Sequence, residues 1–215
     1  MSFFEVQGMH ISEGVLPASV LFGGAAIAIA GTAYGLKRLD NEKIPQAGML
    51  AASFFVASLI HVPLGVASVH LVLNGLVGVV LGWGAFPVIM VALLLQSVFF
   101  QFGGLTTLGI NTVLMATPAV FVYFIFSRFI SSRPFVIWVL SFLCGFLSVL
   151  LATLIMGMAL LLGGDAFQEI AALIVAAHLP VMVVEGIITA FCIRFLIKVQ
   201  PSLLNNRKVL GYDNI

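Results

Sequence analysis

Long apolar stretches separated by short polar breaks fill almost the whole chain. A membrane-spanning helix needs about 20 mostly apolar residues, so this pattern predicts an all-α, polytopic transmembrane helix bundle of about seven spans. The third stretch is short, which leaves six spans plus one partly inserted segment as the alternative. The sequence Gly82-Trp83-Gly84 after it predicts a tight turn. The seven stretches run near 15–36, 46–62, 68–82, 84–102, 107–130, 134–163 and 168–199.

The composition excludes a water-soluble domain. The 215 residues are 62% hydrophobic and 8% charged, with a mean hydropathy of +1.23. A soluble domain carries about 25% charged residues, so this chain lacks the polar surface to cover a globule in water. The two cysteines, Cys144 and Cys192, lie far apart inside apolar stretches, and we expect both to be small packed residues within helices.

The positive charges predict the orientation. Cytoplasmic loops of membrane proteins carry an excess of Lys and Arg. With seven spans, all nine basic residues fall on one face, whereas the loops of the other face contain none and an even number of spans would break this separation. We therefore expect the N-terminus outside and the C-terminus in the cytoplasm. The basic residues are Lys37, Arg38, Lys43, Arg128, Arg133, Arg194, Lys198, Arg207 and Lys208.

The breaks between stretches are brief, which predicts a single transmembrane domain over residues 9–204. Residues 205–215 then form a cytoplasmic tail, and residues 1–8 an N-terminal extension that we expect to be absent from the mature protein. The extension, MSFFEVQG, is not a signal peptide because it lacks a basic region and is too short for an apolar core.

Small residues recur at helical spacing in the first and third stretches. Close approach of helices in a membrane relies on such residues. We favour packing inside the bundle, with a docking face for a partner membrane subunit as the alternative. The residues are Gly23, Gly24, Ala28, Gly31 and Gly35, and then Gly78 and Gly82.

Three of the four histidines fall at the outer end of the predicted bundle. His10 precedes the first span, His61 ends the second and His70 begins the third. Ionisable groups at membrane depth are costly and usually mark function. Three imidazoles at one end favour a metal site over packed histidines.

The Met9-His10 pair makes the predicted metal site more specific. If translation starts at Met9, its α-amine, the amide nitrogen of His10 and Nδ1 of His10 form a five- and a six-membered chelate ring. Such an all-nitrogen planar set suits Cu(II) or Ni(II), and Co(II) is held similarly. A nitrogen of His70 closes the square. Because the amine must lose its proton, affinity should fall in acid.

Two further polar groups of residues are candidates. Gln101 and Asn111 flank a glycine-containing stretch whose backbone we expect to pack against the N-terminal segment, and both are predicted to orient an imidazole from behind. His178 and Glu185 lie seven residues apart, on one side of the last span. Glu185 can orient a neighbouring span, relay a proton or bind backbone; for this pair a structural role is favoured over gating.

Three sequence features that are absent exclude classes of function. The sequence has no GxxxxGK[ST], so no ATP site of the P-loop type is expected on this chain. It has no HExxH either, which removes the core pair of a zinc protease. No basic patch is predicted on the outer face, so we expect no nucleic-acid partner.

Four ordered segments resemble the substrate-capture subunit of cobalt/nickel energy-coupling-factor transporters: MHISEGVLP (9–17), VPLGVASVHL (62–71), QFGGLTTLGIN (101–111) and HLPVMVVEG (178–186). The resemblance implies a multi-pass protein of the prokaryotic inner membrane with its N-terminus threaded into the site. It implies Met9, His10 and His70 as metal ligands. It also implies a separate membrane coupling subunit, two cytoplasmic ATPase subunits and, as a further partner, a small accessory membrane protein.

One departure bears on the ligand set. In the family the Met of Met-His is the first residue, whereas eight residues precede Met9 here. Either the chain starts at Met9, or the extension is removed, or the ion is bound by a different set that includes His61.

The resulting expectation is a non-enzymatic subunit that captures Co²⁺ for cobalamin biosynthesis, with Ni²⁺ as the alternative. Two rivals from other classes stay open: an intramembrane metal-dependent enzyme that uses His178 and Glu185, and a secondary transporter that is driven by an ion gradient.

Overall fold

A computed structural model of the chain describes residues 10–64, 67–131, 133–162 and 168–204; the side chains of 61–69 and 168–173 are not among those described. Each predicted apolar stretch contains one α-helix of this part of the chain. The helices are α1 (Ala18–Arg38), α2 (Ile44–Ala57), α3 (Asn74–Leu81), α4 (Ala85–Phe100), α5 (Leu108–Phe129), α6 (Pro134–Leu161) and α7 (Gln168–Val199).

The helices make this a multi-pass membrane protein. Five stretches of the described residues are long and apolar enough to cross a bilayer: Ala18–Arg38, Asn74–Phe100, Leu108–Phe129, Pro134–Leu161 and Ile174–Val199. Helix α2 has 14 residues, so it is about 21 Å long at 1.5 Å per residue. That is shorter than the roughly 30 Å apolar core of a bilayer.

The stretch Asn74–Phe100 contains two helices that run in opposite directions. The turn Gly82–Gly84 joins the end of α3 to the start of α4, whereas His70, which precedes α3, stacks on Phe102, which follows α4. Helix α3 runs parallel to α5, because Asn74 bonds to Met115 and Gly78 packs on Ala119 four residues further along both helices. Helix α4 runs antiparallel to α1: Gly31 packs on Phe86 of α4, whereas Gly35, further along α1, packs on Trp83 just before α4 begins.

The chain reverses at Gly82–Gly84, which forms a single 3₁₀ turn. Gly82 has φ +55°, a left-handed conformation that glycine adopts without a Cβ penalty. The tight turn predicted for Gly-Trp-Gly is therefore confirmed, and α3, with eight residues, covers about 12 Å.

A short β-hairpin precedes α3, where the sequence predicted only helix. Strands β1 (His61–Leu64) and β2 (Ala67–His70) pair antiparallel, with the backbone of His61 opposite that of His70. The prediction of helix at the start of the third stretch is wrong. Pro63 cannot donate a helical hydrogen bond, and β-branched residues such as Val62 and Val69 favour extended backbone.

The glycines of α1 and α3, apart from Gly23, pack inside the bundle. A methyl group on Gly24 would lie 2.8 Å from Cα of Ile110, and one on Gly31 would lie 2.6 Å from the ring of Phe86. The favoured interpretation, internal packing, is therefore confirmed for these positions. Gly23 is different, because nothing lies within 4 Å of a methyl group placed there.

Candidate metal centre

The structure brings the imidazoles of His10 and His70 together. Their ring centroids are 5.0 Å apart with the planes inclined by 24°. Both rings are buried, with 2% and 3% of their residues' surfaces exposed. His10 lies in the irregular segment before α1, and His70 is the last residue of β2. Two segments that are not helical therefore supply the two buried imidazoles.

The ring of Phe102 forms one wall of this pair. Its centroid lies 5.9 Å from that of His10 and 6.4 Å from that of His70, and the second pair of rings is inclined by only 3°. The apolar face keeps water from that side of the imidazoles. Sequence reasoning did not single out Phe102, although an aromatic residue just before Gly103-Gly104 in a polar stretch was a usable signal.

The tautomer of His70 follows from its neighbour. Nδ1 of His70 lies 2.9 Å from the carbonyl oxygen of Leu71. A carbonyl oxygen only accepts, so Nδ1 carries the hydrogen and the lone pair of the neutral ring is on Nε2. A hydrogen bond of this kind on the far nitrogen is how proteins orient a histidine that binds metal.

Asn111 of α5 binds the backbone of the residue next to His10. Its Oδ1 accepts a hydrogen bond from Ile11 N–H at 2.9 Å, and its Nδ2 donates to Ile11 O at 3.1 Å. Nδ2 also lies 3.3 Å from Oγ1 of Thr107. The Asn111 side chain thus fixes both polar backbone groups of Ile11, and with them the start of the segment that carries His10.

The loop between α4 and α5 holds the same segment from outside. Oε1 of Glu13 accepts hydrogen bonds from the N–H and Oγ1 of Thr106, at 3.1 and 3.0 Å. The backbone and side-chain hydrogen bonds from Thr106 hold the pKa of the exposed Glu13 carboxyl below its usual value. We call residues 10–16, held in this way, the N-terminal arm.

Gly103 and Gly104 make this contact possible. A methyl group on Gly103 would lie 2.6 Å from Nδ2 of Asn111, and one on Gly104 would overlap the side chain of Glu13. The prediction that the glycines allow this loop to pack against the N-terminal segment is confirmed.

The remaining predicted residues take other places. Gln101, at φ +58°, ends α4 and its side chain is exposed, whereas both imidazoles are buried. Met9 lies outside the described residues, as does the side chain of His61, whose backbone pairs with His70. Among the described side chains, no group of three or more His, Cys, Asp or Glu residues is placed to hold a metal ion. A metal ion held by the two imidazoles would therefore need further donors, such as main-chain nitrogens.

His178 and Glu185 are both buried on α7. Nδ1 of His178 lies 2.7 Å from the carbonyl oxygen of Ile174, one turn earlier. The Glu185 carboxylate accepts hydrogen bonds from the N–H groups of Val72 and Leu73. Of the roles considered for Glu185, binding to backbone is the one observed.

The residues 10–203 match the model of a family described as "Cobalt uptake substrate-specific transmembrane region". The chain belongs to this cobalt-uptake family. A "Putative metal transport protein" of Haemophilus influenzae is 41% identical over 200 residues, which covers 92% of this chain and 97% of the relative. "Cobalt transport protein CbiM" of Sorangium cellulosum is 32% identical over 218 residues, covering 94% and 97%.

A crystal structure of a transition metal transporter has the same fold, with a TM-score of 0.76, 23% identity and coverage of 95% of this chain and 98% of that one. Family membership confirms the resemblance drawn from the sequence motifs. The protein is a metal transport protein of the cobalt-uptake family, embedded in a membrane by its apolar helices.

Proposed function

We propose that this chain is the metal-recognition subunit of an ATP-driven importer and that its substrate is Co²⁺, with Ni²⁺ as the alternative. The observation that carries the proposal is the buried pair of imidazoles 5.0 Å apart, one with Nε2 set as the electron-pair donor. Membership of a family described by cobalt uptake supports a transition-metal ion as the substrate of these donors.

The ligand set of the proposal is nitrogen only. His10 and His70 supply imidazole nitrogens, and the main chain at Met9 and His10 supplies the others. Nitrogen donors in a planar arrangement suit Ni(II), Cu(II) and Co(II). Mg²⁺ and Ca²⁺ prefer oxygen ligands, so this site discriminates against the abundant cations. A chain that begins at Met9 contributes an amine; one that begins at Met1 contributes at most an amide, and His61 is then the candidate replacement.

The topology of the proposal has seven crossings, with the N-terminus outside. Helix directions support it, because the chain reverses at Gly82–Gly84 and the β2–α3 segment counts as one crossing although α3 alone is short. The basic residues then share the cytoplasmic face. The histidine pair faces the outside, where the ion is captured.

Energy for import comes, in this proposal, from two cytoplasmic ATPase subunits through a membrane coupling subunit, with a small accessory membrane protein as a further partner. The chain itself has no P-loop sequence. Uptake measured in vesicles should therefore require the partner subunits and ATP. Uptake by this chain alone, abolished when an ion gradient is collapsed, would contradict the proposal.

Native mass spectrometry of the purified chain, loaded with equal Co²⁺ and Ni²⁺, tests capture directly. We expect one retained ion, whose mass identifies the preferred metal, on a chain whose mass identifies its first residue. H10A and H70A should retain none. A chain that starts at Met1 and still holds an ion rules out the amine ligand, and ion retention by both variants rules out the site.

A further inference from the structure

The turn that follows His70 is bound by a carboxylate from the middle of α7. Both oxygens of Glu185 are used: Oε1 accepts from Val72 N–H and, at 3.0 Å, from Leu73 N–H, and Oε2 lies 3.1 Å from Leu73 N. Glu185 is 0% exposed. Consecutive N–H groups that converge on one anion form a concave binding site of the kind found in backbone nests.

The residue after this turn ties it to two more helices. Nδ2 of Asn74 lies 3.4 Å from the carbonyl oxygens of Met115 in α5 and Ser148 in α6. Oγ of Ser148 donates to Oδ1 of Asn74 at 2.9 Å. Three helices, α5, α6 and α7, therefore converge on the segment from Val72 to Asn74.

The backbone of this segment is unusual. Leu73 has φ +57° and ψ +16°, the left-handed conformation. Such a conformation is rare for a leucine, and it persists only where the surroundings determine it. Here the surroundings are the Glu185 carboxylate and the Asn74 contacts, so the carboxylate sets the path of the chain as it leaves β2.

We infer that Glu185 is a positioning residue for the metal centre: it fixes the turn whose Leu71 carbonyl orients the imidazole of His70. His70 Nδ1 bonds to Leu71 O, and Leu71 is followed at once by the two N–H groups that Glu185 holds. A shift of the turn therefore rotates or displaces His70 Nε2. This inference rests on the proposed function, because it assigns Glu185 to the same site.

Three variants of the full chain test it in detergent with Ni²⁺ as the probe. E185Q keeps the side-chain volume but offers one accepting oxygen in place of two, and E185A offers none. T189V is the matched control: Thr189 is also fully buried and lies one turn further along α7. Both residues lie beside Gly145, Glu185 with its backbone carbonyl and Thr189 with its hydroxyl. Its hydroxyl makes no hydrogen bond within the described residues.

The readouts are the visible d–d band of bound Ni²⁺ and its dissociation constant. We expect T189V to match the wild type. E185Q should shift the band and weaken binding by about 10- to 100-fold, the usual effect of losing a group that orients a ligand, with E185A at or beyond that range. A merely structural role would lower thermal stability and leave the band unchanged.

The outcomes separate the two proposals. If wild type, E185Q and E185A share one band and one affinity, Glu185 does not position His70 and the inference fails. If the wild type and T189V show no bound Ni²⁺ or Co²⁺ at all, the proposed function fails instead. Because E185Q preserves volume, the test does not depend on the folding of E185A.

Discussion

The two histidines of the proposed metal centre are held in contrasting ways. His10 lies on the N-terminal arm, which is secured by Asn111 inside and by the exposed Glu13–Thr106 contact outside. His70 lies at the end of a hairpin whose exit turn is bound by a fully buried carboxylate and by the amide of Asn74.

The two sides differ in how exposed their contacts are: Thr106 and Glu13 are exposed, whereas Glu185 is fully buried. The Glu13–Thr106 hydrogen bonds of the arm join exposed groups, which open more readily than buried ones. Ile11 and Leu16 nevertheless anchor the arm in the apolar core. A turn clamped by three helices moves only if the helices move. We therefore expect the exposed Glu13 contact of the arm to be the more mobile side of the proposed site, and the turn bound by Glu185 the more rigid one.

The largest effect should come from removing either imidazole. H10A and H70A each delete a donor, and we expect Co²⁺ or Ni²⁺ affinity to fall by more than the roughly 100-fold that an outer partner costs. Isothermal titration measures this, with G48A as the control because nothing lies within 4 Å of a methyl group there. An unchanged affinity in H70A would show that the hairpin side contributes no ligand.

The next largest effect should come from Asn111→Ala, with a loss of Co²⁺ or Ni²⁺ affinity of about 10- to 100-fold. The substitution removes the side chain that binds both backbone groups of Ile11. The double variant N111A/E185Q sharpens the comparison. If the two sides are held independently, the effects add in free energy within about 0.5 kcal/mol. A strongly non-additive result would mean that the two sides form one network.

A methyl group added beside Glu185 or beside Asn111 should lower the free energy of unfolding. A methyl group on Gly145 would lie 2.5 Å from the carbonyl oxygen of Glu185, so G145A should lower the free energy of unfolding by about 1–3 kcal/mol. G103A adds a side chain at φ +73° beside Asn111 and should also destabilise. Thermal unfolding in detergent checks both against G48A, which should be neutral or slightly stabilising; equal melting of all three would contradict the close packing.

The smallest effect should be a pH dependence confined to the N-terminal arm. Hydrogen bonds from Thr106 lower the pKa of Glu13. Their contribution to the stability of the N-terminal arm is therefore fully present above the usual carboxyl pKa. It is lost as pH falls through that lowered value. The exchange rate or chemical shift of the Thr106 amide should report this step in the wild type. A step of the same size in E13Q would show that another group is responsible.

Sequence patterns were most informative where the cause was local. Apolar stretches located the helices, Gly82-Trp83-Gly84 located the reversal, and the glycines at 103 and 104 indicated a loop packed on the N-terminal segment. The hairpin was missed because its strands continue apolar stretches, and apolar runs do not by themselves distinguish buried helix from buried strand.

The sequence by itself determined that the chain is a helical membrane protein, and its motifs determined the family. Both follow from residue types and short spacings. Only the tertiary structure decided that His10 faces His70 with Phe102 as a wall, and that the Glu185 carboxylate holds the backbone 112 and 113 residues earlier in the chain. Such pairings depend on how helices are arranged in space, and the 3.6-residue period that reveals a helix does not specify which neighbour its buried face meets.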